Sequence, residues 1–584
     1  MTDESRRIGD VLDSAEVLED GYDAATDSDG GDEGGPPQPP VCEGDDAEPS
    51  GDGPNPDVVQ GCAVLDASDT DNGERLIRHF GGDLAVLAQD EVPTGAWLAW
   101  SGTHWDLAGG AARARIIAQR LGDRIMLEAR YLKHTPDETR AIEQAQALRT
   151  KDPATLTPEE RLTLSQATAA TDALKGRAAK RRAFGVTSKN KARMENALDC
   201  AGPRLRRSPD GFNVDRYKVA TLTHTLQFLR VIDPECPDPD ALRFVGRCDA
   251  IPGHNREDWM TAVVPQPYDA EAKAEGWRAF MAEMLPDAEK RRTVQQFTAL
   301  GLLGIPTQFL MFHYGLGANG KSVFLETITR VLGAGLCVGL PRESIVGASE
   351  RAAGSASPDL VRLYGKKMVR ILEVKGDAPL QEDLIKRLTG GEAVPVRTLF
   401  KGYFEFQNVA TAHMSGNGMP TIDGTDNGIW RRLLVVHWDQ TVPEEKRRDF
   451  EEMVSGFVRE EGAGILNWMV EGVCDFLENG LVIAPAVRTA TAEYREEMDP
   501  IGEFMASCMR ASNDPLMKVP AHAAYEAYVS WSLANAKRAR SQTKFGRVVG
   551  QRFQKTEQTG RIFYLGCELH DVPARPDVPR NPND

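Results

Sequence analysis

The sequence predicts an α/β fold, and three stretches carry that expectation. The first is the glycine-rich run from Gly315 to Ser322, GLGANGKS, set between TQFLMFHY, which reads as a buried strand, and SVFLETITRVLG, which places Val323, Phe324, Ile328 and Val331 near one helix face. The second is the region from about 275 to 460, where helix-like and strand-like segments alternate around that loop. The third is the C-terminal succession of HAAYEAYVSWSLAN, SQTKFGRVVGQRFQ and TGRIFYLGCEL, which reads as helix, helix and strand.

In chain order, residues 1–72 form an acidic segment expected to be disordered. Residues 1–70 hold 20 Asp and Glu against only Arg6 and Arg7, so the chain's net charge of −18 resides there and the remainder is balanced. Stretches such as DSDGGDEGGPPQPP bury too little apolar surface to offset their ordering entropy. Residues 73–272 are expected to form an α+β domain. Within it GAWLAWSGTHWDL alternates like a hairpin turning at Ser101-Gly102, with Trp97, Trp100 and Trp105 as core anchors. Residues 110–200 read as helical, with KGRAAKRRAFG and TSKNKAR as solvated basic faces, and Pro234, Pro237 and Pro239 interrupt the strands and loops of 203–270. The α/β core occupies 273–480, a linker near VIAPAV spans 481–498, a small domain covers 499–572, and 573–584 is a second disordered tail. The nine cysteines lack zinc-ligand spacing, no apolar run is long enough for a bilayer, and the first residues show no signal-peptide pattern. A reduced, cytosolic protein without a membrane partner is expected.

The glycine run fits G-x-x-x-x-G-K-[ST], whose strand–loop–helix context makes it a phosphate site. The loop residues Gly315, Leu316, Gly317, Ala318, Asn319 and Gly320, followed by Lys321, Ser322 and Val323, would turn backbone N–H groups onto ATP phosphates at a helix N-terminus. Lys321 would reach the β and γ phosphates, and Ser322 would hold Mg²⁺. In KKMVRILEV a hydrophobic strand ends at its sole acid, Glu373, suited to Mg²⁺ and to polarising the attacking water. AVPVRTLF and YFEFQNV read as a hairpin with Lys401-Gly402 at its tip, where Lys401 either grips a phosphate backbone or is an ordinary turn lysine. Asn417 follows the strand VATAHMS and would sense a γ-phosphate or orient water; Arg431 and Arg432 precede another apolar strand and would either act across a subunit boundary or form surface ion pairs.

The order of GLGANGKS, LEV, IKRLTGG, GNGMP and IWRR closely resembles superfamily 3 helicases and, more narrowly, the phage and plasmid primase-helicase family of AAA+ ATPases. The resemblance implies an AAA+ P-loop NTPase core with an α+β N-terminal domain and a C-terminal winged helix. It makes Lys321 the Walker A lysine, Glu373 the Walker B acid, Asn417 the sensor, Arg431 or Arg432 the trans arginine, and Lys401 the pore lysine. Leu372 stands where relatives often carry a small polar residue, and Glu392 where Asp is typical. Residues 1–72 are too short and acidic for a primase domain, so primer synthesis is not expected of this chain. The C-terminal helix–helix–wing order, with Lys544, Arg547 and Arg552 among its basic residues, suits DNA phosphates or a protein contact. The implied activity is an ATP- and Mg²⁺-dependent hexameric DNA helicase in the bacterial cytoplasm. It would replicate phage, prophage or plasmid DNA, with single-stranded DNA in the pore, duplex at the winged helix and a separate primase as partner. Rival readings are a nucleoprotein-remodelling ATPase that does not unwind, a monomeric small-molecule kinase indifferent to DNA, and a non-catalytic binding module.

Overall fold

The computed structural model describes residues 53–574, apart from 90–91, 234–235, 237–242, 346–357, 375–378, 392, 398–402, 423–426, 513, 515 and 538. The chain is a mixed α/β protein built around a parallel sheet. Ordered structure starts earlier than the composition suggested. Asn55 caps a helix, Pro56–Cys62, by accepting from the Asp57 N–H, and Val59 and Cys62 are buried. The expected disorder through residue 72 is therefore corrected: within a strongly acidic stretch, two buried apolar residues at i and i+3 suffice to seat one helical face.

The next region carries two small sheets. Strands β1 (Leu84–Gln89), β2 (Val92–Trp100), β3 (Trp105–Asp106) and β4 (Arg206–Arg207) assemble in the order β3-β2-β1-β4. Trp100 pairs opposite Trp105 across the hairpin, and both are buried, with Trp105 stacked on Trp259. Between β3 and β4 lies a helical layer that includes the 31-residue helix Pro158–Ser188, opened by a capping box of Thr157 and Glu160. Strands β5 (Lys218–Thr221), β6 (His224–Ile232), β7 (Phe244–Pro252) and β8 (Val263–Val264) form the second sheet in the order β7-β6-β5-β8.

The central sheet is parallel. Its strands are β9 (Leu310–Tyr314), β10 (Cys337–Leu340), β11 (Met368–Val374), β14 (Thr411–Gly416) and β15 (Leu433–His437), in the order β10-β11-β14-β9-β15. Between β11 and β14, β12 (Ala393–Arg397) and β13 (Tyr403–Gln407) pair as an antiparallel ribbon. The sheet is buried on both faces, as its continuous apolar strands require. Leu310, Phe312, Leu433 and Val435 point into one core; Met311, Leu434 and Val436 point into the other, with Phe324, Ile328, Trp277 and the long helix Phe450–Asn479. From β9 the chain crosses to the edge strand β10, returns through β11 and β14 to lie beside β9, and ends at β15 on its other side, so the crossovers around β9 leave a crevice beyond the carboxyl ends of the strands.

Residues 485–498 are not a linker. They form the helix Pro485–Met498, which buries Val487 and Tyr494, and the Thr491 hydroxyl accepts from the Val435 N–H of edge strand β15. Beyond it, helices Pro500–Cys508, Ala521–Ala534 and Gln542–Arg552 pack around Phe504, Tyr528 and Phe545. A three-stranded antiparallel sheet of Lys518–Pro520, Arg561–Leu565 and Lys555–Gln558 closes that core.

Candidate functional site

The site lies at the carboxyl ends of three adjacent strands. Val374 of β11 is opposite Gly416 of β14, and Gly416 is opposite Tyr314 of β9, so the three strands end level. From β9 the chain enters the glycine loop, in which Gly317, Ala318 and Gly320 have φ of 113°, 46° and 78°. Two glycines are required by their surroundings. A Cβ on Gly315 would stand 2.0 Å from Asn319 Nδ2, and one on Gly320 would stand 2.8 Å from Met284 Cγ and 3.0 Å from Phe280. Helix Lys321–Leu336 begins immediately after the loop.

Lys321 is buried beneath the loop. Its ammonium donates to Asn417 Oδ1 at 2.6 Å, to the Gly315 carbonyl at 2.8 Å and to Asn319 Oδ1 at 3.3 Å. Burial lowers its pKa from the ordinary lysine value, and the three oxygens favour the charged form. The segment after β15 clamps the loop from outside. Trp438 N–H donates to the Tyr314 carbonyl, Asn319 Nδ2 donates to the Trp438 carbonyl, and Val442 N–H donates to the Ala318 carbonyl at 2.7 Å.

Below the loop two fully buried histidines fix one another's tautomers. Trp438 Nε1–H donates to His313 Nδ1, which places the His313 proton on Nε2, 3.1 Å from His413 Nδ1. His413 then carries its proton on Nε2, which is buried without a hydrogen-bond partner beside the Phe297 ring. Burial pushes the His413 pKa down to about 3 and the His313 pKa well below the ordinary imidazole value.

The loop opens onto a cleft of about 980 Å³. Its lining includes loop residues Gly317–Val323 and Asn417, an apolar wall of Phe280, Met284, Val442, Phe450 and Phe457, and a basic rim of Lys446, Arg447 and Arg448. The chemistry is two-sided: a glycine-rich loop at a helix N-terminus and a buried ammonium for an anion, and aromatic and aliphatic surface for a flat apolar ring. The apolar wall was missed in the sequence because helix Glu275–Met284 and helix Phe450–Asn479, far apart in the chain, build it together, with Phe280 against Phe457. The only local signal was the EEKRRDF run.

The structure brings Gly315 to Val323 and Asn417 together. Leu316 is 83% exposed at the loop tip, and Ser322 is exposed on the first helical turn. Glu373 occupies the penultimate position of β11, at the same edge. Arg431 and Arg432 follow the short helix Asn427–Trp430. Arg431 is exposed, whereas Arg432 turns back to donate to the Gly428 carbonyl at 2.6 Å. Lys401 lies outside the described residues. Lys544, Arg547 and Arg552 all lie on the helix Gln542–Arg552. Arg547 and Arg552 are exposed, but Lys544 lines a cavity of about 130 Å³ with Ile422, Trp430 and Arg495. Away from the cleft, Cys62, His79 and Glu128 have ligand atoms within 4.8 Å of one another. Both Glu128 oxygens are already engaged, one by Arg75 Nε at 2.8 Å and the other by Arg75 Nη2 and Arg181.

Among the described residues no helix is long and apolar enough to cross a membrane. Residues 73–286 match the family model described as D5 N terminal like. A protein of Acanthamoeba polyphaga mimivirus named as a helicase is 24% identical over 253 residues, 39% of this chain and 25% of that protein. A protein of African swine fever virus named as a primase is 22% identical over 272 residues, 44% of this chain and 28% of that protein. The match thus spans about a quarter of the length of these relatives. Among solved structures, the C-terminal region of NrS-1 is similar at 11% identity and a TM-score of 0.33, covering 60% of this chain and 96% of that one. By its family match and its named relatives, the chain is similar to viral helicase and primase proteins.

Proposed function

We propose that the chain is an ATP-dependent, ring-forming DNA helicase of the superfamily 3, AAA+ type that serves phage, prophage or plasmid replication. One observation carries the reading: the Lys321 ammonium, enclosed by a glycine loop, meets Asn417 at 2.6 Å across the ends of neighbouring parallel strands. This P-loop arrangement suits a nucleoside triphosphate, with phosphates on the loop and base against the apolar wall. Ser322 and Glu373 offer the hard oxygens that Mg²⁺ prefers, and the bound ion would supply charge neutralisation at the phosphates. Lys321 would neutralise charge on the transferred phosphoryl group, and Asn417 would orient the attacking water.

Hydrolysis by a ring needs a group from the neighbouring subunit. Arg431 is the better candidate, because it is exposed whereas Arg432 is bound to its own helix. The ribbon β12–β13, with Lys401 in its connection, would reach DNA in the pore. The C-terminal unit has the helix and strand order of a winged helix, and Arg547 and Arg552 supply its exposed cations for duplex DNA. The cytoplasm of the host and a separate primase complete the reading.

The test is ATP hydrolysis with and without single-stranded DNA, for wild type and Lys401→Ala, alongside native mass. DNA-stimulated hydrolysis by a ring, lost in the variant, is expected. DNA-indifferent hydrolysis by a monomer would leave the kinase reading. Stimulation without strand displacement on a forked duplex would leave the remodelling ATPase.

A further inference from the structure

We propose that the helical layer between β3 and β4 carries a separate DNA-backbone surface, centred on the outer face of helix Pro158–Ser188. Residues 110–207 contain 21 Lys and Arg against 11 Asp and Glu, a net of +10, in a chain whose remaining residues are strongly acidic in sum. The helix sorts its cations by role. On its inner side Arg177 is spent on Glu138 at 2.6 Å, and Arg181 on Glu128 and the Leu65 carbonyl. On its outer side Lys175, Lys180 and Arg182 are exposed. Lys175 makes a surface pair with Asp172 at 3.1 Å, both largely exposed; no ion pair within 4.0 Å is formed by Lys180 or Arg182 among the described residues.

Helical spacing turns these three into a track. At 100° per residue Lys175 and Arg182 fall on one edge of the exposed arc and Lys180 on the other, with Gly176, Ala179 and Ala183 between them. All three small residues are exposed, and a Cβ on Gly176 would meet nothing within 4 Å. Lysine and arginine stems flanking a strip of small side chains let a phosphate backbone approach the helix while the cations reach its oxygens from both sides. Exposed Lys189 and Lys191 extend the positive field past the helix end, although Lys189 also contacts Asp123. No aromatic side chain lies on this arc to stack an unpaired base, so the surface fits duplex backbone better than single strands. Such a contact would hold the duplex outside the motor and lies apart from the nucleotide cleft.

The test is fluorescence anisotropy of a labelled mixed-sequence duplex and a labelled single strand, titrated with the full chain over a salt series without nucleotide. The chains compared are wild type, the triple variant Lys175→Glu/Lys180→Glu/Arg182→Glu, and the conservative Lys175→Arg/Lys180→Arg. The triple variant is expected to weaken duplex binding about tenfold and to flatten the salt slope by about two to three, as lost phosphate contacts require. It should keep its DNA-independent ATP hydrolysis, and the arginine variant should bind as wild type does. Unchanged duplex affinity and slope in the triple variant would overturn the surface. A changed native mass with unchanged DNA binding would reassign the face to contact between copies and overturn it equally. If the wild-type chain bound no DNA, the helicase reading would fall with it; loss confined to the triple variant leaves that reading standing.

Discussion

Lys321 and Asn417 are coupled through a single short contact, so their variants should differ in kind. Lys321→Ala removes the buried cation that would face the phosphates, and hydrolysis should fall by on the order of 10²-fold or more, read from initial rates at saturating ATP. Asn417→Ala leaves the cation in place but frees it to settle on Gly315 and Asn319; the fall should appear in kcat with KM nearly unchanged. Equal losses from both in KM alone would argue for mere nucleotide binding. The two arginines separate likewise. Arg431→Ala should abolish hydrolysis in the assembled state while nucleotide still binds. Mixing it with Lys321→Ala chains should restore part of the activity if the arginine acts across subunits, because a mixed interface in which the Arg431→Ala chain supplies the lysine and the Lys321→Ala chain the arginine is intact. Arg432→Ala should instead lower stability, since its guanidinium holds the Gly428 carbonyl.

At the scale of elements, β9 and β14 are joined by the neutral pair His313 and His413. In the unfolded chain both imidazoles titrate near pH 6.5. In the folded chain His413 titrates near 3, and His313 is also depressed. The unfolded state therefore binds more protons below about pH 6.5, so the stability these groups contribute is complete above that pH and is lost as the pH falls towards 3. His413 should cost about 1.4 kcal/mol per pH unit in that window, and His313 adds to the loss in the same direction. Urea midpoints at pH 7 and pH 5 should show the drop, and His413→Leu should reduce its slope; ring ¹⁵N shifts reporting charged imidazoles in the native state at pH 5 would refute the pairing. Such a pair was invisible in the sequence, where His313 and His413 are two apolar-run histidines a hundred residues apart. The loop above them was legible because its signal is local: a buried strand, obligatory glycines and an amphipathic helix within one short run. The helix Pro485–Met498 was not, because only Val487 and Tyr494 are buried on it and Pro485 follows VIA like a break. Pro at the first helical turn starts a helix as readily as it ends one.

For the whole molecule that helix decides where the α/β core ends. Strand β15 is an edge of the central sheet, and its exposed side is covered by Pro485–Met498 rather than by another strand. Thr491 takes the Val435 N–H, and Tyr494 is 1% exposed, packed edge-on against Trp430 with its hydroxyl donating to the Pro420 carbonyl. Cutting the chain at residue 480 would strip this cover, open the apolar strand Leu433–His437 to water and leave the Val435 N–H without its partner. It would also loosen the helix Asn427–Trp430 that sets Arg431. A chain ending at residue 480 should therefore aggregate or hydrolyse ATP poorly, whereas one ending after Met498 should stay soluble and keep DNA-independent hydrolysis. The longer truncation should still lose the share of duplex affinity that Arg547 and Arg552 provide, because the C-terminal unit has its own core around Phe504, Tyr528 and Phe545. Size-exclusion profiles and hydrolysis rates of the two truncations read this directly. Equal behaviour would mean that the helix is dispensable to the sheet; collapse of both would mean that the C-terminal unit, seated beside Trp430 through Lys544, is itself part of the structural core.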